Sequence, residues 1–168
     1  FWKWWEHSLG NNLEEIRITG GEPLVHKSIW KLFDWFKKHP ESKMRFAMNS
    51  NLVPDKEETF EKLLKASYSV PHFEIYTSNE SIGIQSEYIR YGMKYNVWRK
   101  NLVRLMKESN IKKLHMMMTI NALCLESITE FMDDMLLLRE QFGGKAPTMT
   151  LNILRFPSFQ SCAIIPAT

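Results

Sequence analysis

Four consecutive residues, Gly20-Gly21-Glu22-Pro23, carry the densest chemistry in the sequence. They follow an alternating stretch ending in Arg17-Ile18-Thr19 and precede a helical pattern, so they sit at the carboxyl end of an expected strand. In parallel α/β folds that is where ligands bind. Two adjacent glycines let the backbone approach a ligand closely. Glu22 supplies an anionic acceptor for a cationic group, and Pro23 fixes the exit from the turn. Average residue usage would produce this tetrapeptide by chance in roughly 0.2% of chains this long, which favours a site over coincidence. The plainer alternative is a tight strand-to-helix turn with a surface glutamate.

Other reactive residue types are less telling. His26 reads as a solvated histidine at a helix start, and His115 as a hydrogen-bonded structural histidine. Glu74 could serve as a catalytic carboxylate, yet a pair with Arg45 or Arg17 across neighbouring strands explains it without chemistry. Cys124 and Cys162 stand 38 positions apart (162 − 124) and read as small buried or tail residues rather than metal ligands. Lys37-Lys38 and Lys112-Lys113 read as solvated element ends, not a nucleic-acid patch.

The elements that must position the glycine turn alternate regularly. Strands are expected at residues 15–19, 44–48, 72–78, 113–120 and 148–154. Between them lie helices at 28–39, at 55–66 with Asp55 and Glu58 in capping-box spacing, and one or two within 86–108. A further helix opens at Ser127 and Glu130 and ends at Gly143-Gly144. Residues 1–9 read as the tail of a helix, ended by the turn chemistry of Gly10-Asn11-Asn12. Strand–helix alternation without hairpin signals implies βαβ units and a parallel sheet. Each strand has one apolar face (Ile16/Ile18, Met44/Phe46/Met48, Phe73/Ile75, Leu114/Met116/Met118, Leu151/Ile153) and one mixed face. Strands covered by helices on both sides read as continuous apolar runs. Two-faced strands instead suggest helices on one side only, with the polar side lining the lumen of an open barrel. The alternative is a sheet with one wet face.

Composition bounds the rest. The 168 residues suit one domain, residues 1–168, with 44% apolar and 24% charged residues, which argues against disorder. No apolar run approaches the ~20 residues needed to span a bilayer. A net charge of +3 gives no strong signal for nucleic acid or membrane. Two distant cysteines argue against a disulfide scaffold and favour a cytoplasmic setting. The chain begins with Phe1 and is read as an excerpt of a longer protein.

Residues 18–24 resemble the GGEP stretch of the radical S-adenosylmethionine (SAM) enzymes, at the end of the second strand of their partial (β/α)6 barrel. The resemblance implies that Gly20, Gly21 and Glu22, with Pro23, hold the methionyl amino group of SAM. It extends to later strand ends. Asn49-Ser50-Asn51 corresponds to a Thr-Asn-Gly-like turn, and Ser78 to a polar position beside the ribose or carboxylate. Glu87-Tyr88-Ile89-Arg90-Tyr91-Gly92 is similar to an Asp-x-x-Arg-Gly stretch, which makes Arg90 a candidate for the SAM carboxylate. Asn121 and Asn152 match the ends of the strands that flank ribose and adenine. The family's CxxxCxxC, which binds a four-iron four-sulfur cluster, is absent, so its ligands are expected upstream of Phe1.

The expectation is therefore an α/β, TIM-like partial barrel of parallel strands, truncated at its N-terminus and without a C-terminal auxiliary domain. The resemblance implies a full-length enzyme with SAM and a [4Fe-4S] cluster as cofactors, the excerpt alone being inactive. A one-electron donor such as flavodoxin or ferredoxin would reduce it, and the substrate would be a peptide, small molecule or enzyme. Two rivals stay open. One is a cluster-less, non-catalytic barrel module binding a nucleotide or protein partner. The other is a phosphate-handling barrel, against which Glu22 argues by charge repulsion.

Overall fold

The computed structural model describes residues 1–165, so Pro166 of the expected terminal stretch lies outside the described residues. α1 (Trp2–Trp4), a π-helical turn (Trp5–Leu9) and α2 (Gly10–Asn12) precede β1 (Glu15–Ile18). Then follow α3 (Lys27–Lys38), β2 (Arg45–Asn49), α4 (Glu57–Ser67), β3 (Phe73–Ser78), α5 (Gly83–Ile89) and α6 (Tyr95–Glu108). β4 (Lys113–Ile120), α7 (Ile128–Phe142) and β5 (Thr148–Ile153) complete the alternation.

All five strands pair in parallel, in the order β1-β2-β3-β4-β5. Strictly sequential order has a consequence. Right-handed crossovers then carry every connecting helix over the same sheet face, whereas a doubly wound sheet reverses its order midway. Packing follows that rule. α3 is amphipathic, with Ile29, Leu32, Phe33 and Phe36 turned inward as expected and Trp35 joining them. Its Phe33 meets Phe46 and Phe73 edge-on at 5.4 and 5.5 Å, and those two rings stack at 5.1 Å across β2 and β3. Trp98 of α6 is wholly buried and donates its indole N–H to Thr77 Oγ1 at 3.1 Å. Phe131 of α7 packs beside Trp98. The opposite face keeps Arg17, Asn49, Tyr76, His115, Met117 and Thr119 at least partly open to solvent. The result is the α/β sheet of a partial TIM-like barrel.

Several local expectations are corrected. Gly10 does not end the first helical segment, which runs on through Asn12. A Cβ at Gly10 would stand 2.9 Å from the Trp35 ring, so the glycine serves close packing. α4 starts at Glu57 with Lys56 as its N-cap, and Asp55 forms no capping box because it lies one residue too early. Ser127 precedes α7 without capping it, because its hydroxyl is hydrogen-bonded to Ser81 Oγ at 2.6 Å. The 86–108 stretch is two helices, broken around Gly92 at φ 82. Leu151 and Ile153, expected on an apolar covered face, are 55% and 68% exposed. The described residues beyond β5 form only 3-10 turns, so no helix lies over that strand's outer face from the far side. No helix among the described residues is long and apolar enough to cross a membrane.

Candidate functional site

The carboxyl ends of β1, β2 and β3 open onto one pocket of about 290 Å³. Gly20 and Gly21 form its β1 wall, Asn49, Ser50 and Asn51 its β2 wall, and Ser78 its β3 wall. Arg90 closes it from the segment after α5. Seven of the candidate positions are thus brought together. A larger hollow, about 470 Å³, lies among Trp2, Trp5, Trp35 and His39. Its lining comes from the first helical segment and α3, not from the strand ends where parallel α/β folds place their ligands.

The glycines are left-handed, with φ of 85° at Gly20 and 59° at Gly21. A Cβ built on either would meet nothing within 4 Å. Side chains there would occupy open pocket space that a ligand can use instead, so bare backbone lines this wall.

Glu22 stands behind that wall. Its Oε1 accepts from the Leu24 N–H at 3.2 Å and from the Ser50 hydroxyl at 2.9 Å, while Oε2 accepts from the Asn51 N–H at 2.7 Å. The carboxylate therefore ties the β1 turn to the β2 turn over a separation of nearly thirty residues. Ser50 Oγ in turn accepts from the Leu52 N–H, and Asn51 Oδ1 from the Val53 N–H. Leu52 is buried in the left-handed region at φ 57, unusual for a leucine. Asn101 of α6 holds it there by donating to its carbonyl at 2.8 Å. Pro23 is buried at the start of a 3-10 turn and does not face the pocket.

Arg90 is partly committed. Its Nε and Nη2 donate to Glu80 Oε2 at 3.1 and 2.5 Å, and Glu80 is only 2% exposed. A buried carboxylate needs that partner. Only the remaining guanidinium edge is free to meet a ligand. Behind this pair, Asn79 Oδ1 accepts from the Ser86 hydroxyl and from the N–H groups of Glu80 and Ser81, pinning α5 to the end of β3.

Two candidates lie apart from the pocket. Asn121 is buried, accepting from the Leu123 N–H and donating to the Thr119 carbonyl, and so shapes the turn after β4. Asn152 stands exposed on β5, opposite Thr119. His26 is exposed at the N-cap of α3 and does not line the pocket.

From the pocket wall at Tyr76, a row of stacked planar groups runs across the open sheet face. The Arg17 guanidinium lies 3.8 Å over the Tyr76 ring, and Tyr76 stacks on His115 at 4.1 Å and 13°. Arg17 Nη2 also donates to Asn49 Oδ1 at 3.4 Å. His115 is satisfied on both nitrogens, by Glu74 Oε2 at 3.2 Å and Thr148 Oγ1 at 2.7 Å. The expected pairing of Glu74 with an arginine is corrected by register. Arg45 lies opposite Glu15 and pairs with it, while Arg17 lies opposite Ala47, too small to keep it from Tyr76.

Tyr76 and Tyr91, which stand within the stretches around Ser78 and Arg90, and Met93 also line the pocket, while Glu80 and Leu52 support Arg90 and Ser50 from behind; the sequence did not single out these five. A usable signal was the polar run Asn79-Glu80-Ser81 directly after an apolar strand, since such a run is costly to bury without partners.

An open two-glycine cradle beside an anchored carboxylate fits an amino-acid-like cationic head. A four-iron cluster finds no set of ligands here. No three His, Cys, Asp or Glu side chains converge among the described residues. Cys124 is buried, its sulfur hydrogen-bonded with the Asn121 backbone, and burial pushes its thiol pKa up, away from the thiolate a metal needs.

A family profile described as the radical SAM superfamily matches residues 6–135. No curated protein matches the chain.

Proposed function

Because this chain belongs to the radical SAM superfamily, we propose that the pocket at the ends of β1, β2 and β3 holds the methionyl end of SAM. Gly20 and Gly21 pass their backbone against the ammonium group, and Glu22 supplies the negative field that draws it in. Asn49, Ser50, Asn51 and Ser78 flank it with polar groups. Arg90 offers its free edge to the carboxylate, with Glu80 holding it in place. Asn121 and Asn152, farther along the strand ends, are assigned to the ribose and adenine side.

With SAM held there, the chemistry supplied would be one-electron cleavage of its sulfur–C5′ bond by a reduced four-iron four-sulfur cluster, releasing methionine and a 5′-deoxyadenosyl group able to take a hydrogen atom from a substrate. The thiolate ligands of that cluster are proposed to lie in chain outside these residues, and the electron to come from a flavodoxin- or ferredoxin-like donor. The residues of this chain bind and orient the cofactor, while the polar face of the sheet receives the substrate.

The observation that carries this reading is the pair of left-handed glycines whose missing side chains leave open space at the strand ends. The test is calorimetric titration of SAM into the anaerobically reconstituted full-length protein. Saturable binding near one equivalent is expected. Absence of binding would overturn the assignment.

A further inference from the structure

Arg17 is a cation of the open sheet face that makes no ion pair among the described residues. Of the charged side chains that strand alternation places there, Glu15 and Arg45 form an ion pair and Glu74 is hydrogen-bonded to His115. Lys113 sits at the first position of β4, at the amino end of that strand. Arg17 makes no ion pair among the described residues, although it is held in place. Tyr76 covers one flat side of its guanidinium at 3.8 Å, and Asn49 accepts one long hydrogen bond of 3.4 Å from Nη2. Tyr76 is itself braced by His115, and His115 by Glu74 and Thr148.

This arrangement has a physical reading. A planar fork with several unused donors has already lost much of its rotational freedom to stacking, so ordering it on a ligand costs little. Guanidinium forks match the two oxygens of a carboxylate or phosphate. Position matters as well. Arg17 lies two residues before Thr19 and three before Gly20, against Asn49 and Tyr76, which line the pocket while Arg17 itself does not.

We propose that Arg17 anchors an anionic group, carboxylate or phosphate, on the substrate that enters the polar face of this sheet. This deepens the reading of the same site as a radical SAM core and rests on it. Arg17 fixes where the substrate's anionic end lies, and Tyr76 and His115 keep the guanidinium aimed. A neutral, wholly apolar substrate would leave the cation with no partner.

The test is protection of arginines from phenylglyoxal, followed peptide by peptide by mass spectrometry in the reconstituted full-length protein. Inorganic pyrophosphate and malonate serve as phosphate and carboxylate probes, at constant ionic strength. Modification of Arg17 is expected to slow at least tenfold with one or both probes, in a saturable way. Arg139, exposed on α7 away from this face, is expected to be unaffected. Which probe protects tells carboxylate from phosphate. Equal effects on both arginines, or none on Arg17, would overturn the proposal.

A second arm separates this failure from failure of the SAM assignment. Arg17→Gln and Arg17→Lys should lose less than about threefold in SAM affinity, because Arg17 does not itself line the pocket and reaches it only through one long hydrogen bond to Asn49 and its stacking on Tyr76. A tenfold loss of SAM affinity in both would place Arg17 on the cofactor and overturn the proposal. Protection of Arg17 in a protein that does not bind SAM would instead sink the cofactor assignment and leave the anion site standing.

Discussion

Glu22→Gln tests whether the carboxylate behind the glycine wall does two jobs. It accepts from Leu24, Ser50 and Asn51, so its charge is shared among three donors. Glutamine keeps the shape and one acceptor oxygen. With that oxygen serving Leu24 and Ser50, its amide faces the Asn51 N–H donor to donor. One charge-assisted bond, worth about 1.5–3 kcal/mol, is then lost. The Asn51 contact is exposed, so water recovers part of that, and a stability loss of about 1–2 kcal/mol is expected. At roughly 2–4 °C per kcal/mol for a chain of this size, the melting temperature should fall by about 2–8 °C. SAM affinity should fall further, by about ten- to a hundred-fold, because the field that attracts an ammonium is removed as well. Ser50→Ala separates the two effects, since it loosens the same turn without touching the charge. It should cost stability comparable to Glu22→Gln but much less SAM affinity. The assays are thermal melts and anaerobic SAM calorimetry on the full-length protein. If Glu22→Gln binds SAM as tightly as the parent, the electrostatic assignment is wrong and residues 20–23 are only a turn.

Gly21→Val forces a β-branched residue to φ 59, costing about 1–2 kcal/mol of stability or more, and should abolish SAM binding by filling the pocket; Gly143→Val, also at positive φ but on the far end of α7, should destabilise without changing SAM titrations. Arg90→Gln strands the buried Glu80 carboxylate and should destabilise by up to about 3–5 kcal/mol in urea melts, with Glu80→Gln added to it restoring part of the loss; no destabilisation would mean the pair does not hold α5 in place. Burial, reinforced by the Asp134 carboxylate, raises the Tyr95 phenol pKa, so the folded state keeps that proton longer than the unfolded chain. Its contribution is complete below about pH 10, the unfolded value, and is lost as pH rises through the folded value. Urea midpoints measured from pH 8 to 11 should therefore fall less steeply for Tyr95→Phe than for the parent, in a Cys124→Ala background because the raised Cys124 thiol acts with the same sign.

Residue order alone settled the alternation of strands and helices, the one-sided covering of the sheet and the place of the glycine turn. Those features depend on local periodicity: residues at i, i+2 and i+4 share a strand face, as Phe46 and Met48 or Met116 and Met118 do, wherever the strand goes. They failed where cover comes from elsewhere, as at Leu151 and Ile153, whose apolar pattern says nothing about which helix reaches them. What joins the site together was decided by tertiary structure. Glu22 reaching Ser50 and Asn51, Arg90 turning to Glu80 instead of leaving its whole fork free, and Arg17 lying on Tyr76 rather than pairing with Glu74 all depend on strand register and loop path. A one-residue slip of β1 would send Arg17 to the opposite face, while Glu22 and Arg90 stand in loops whose path the neighbouring strands set, and no property of the individual residues records which register forms. The two-glycine turn was visible in the sequence because its backbone requirement is local; its partners were not, because they stand on other strands.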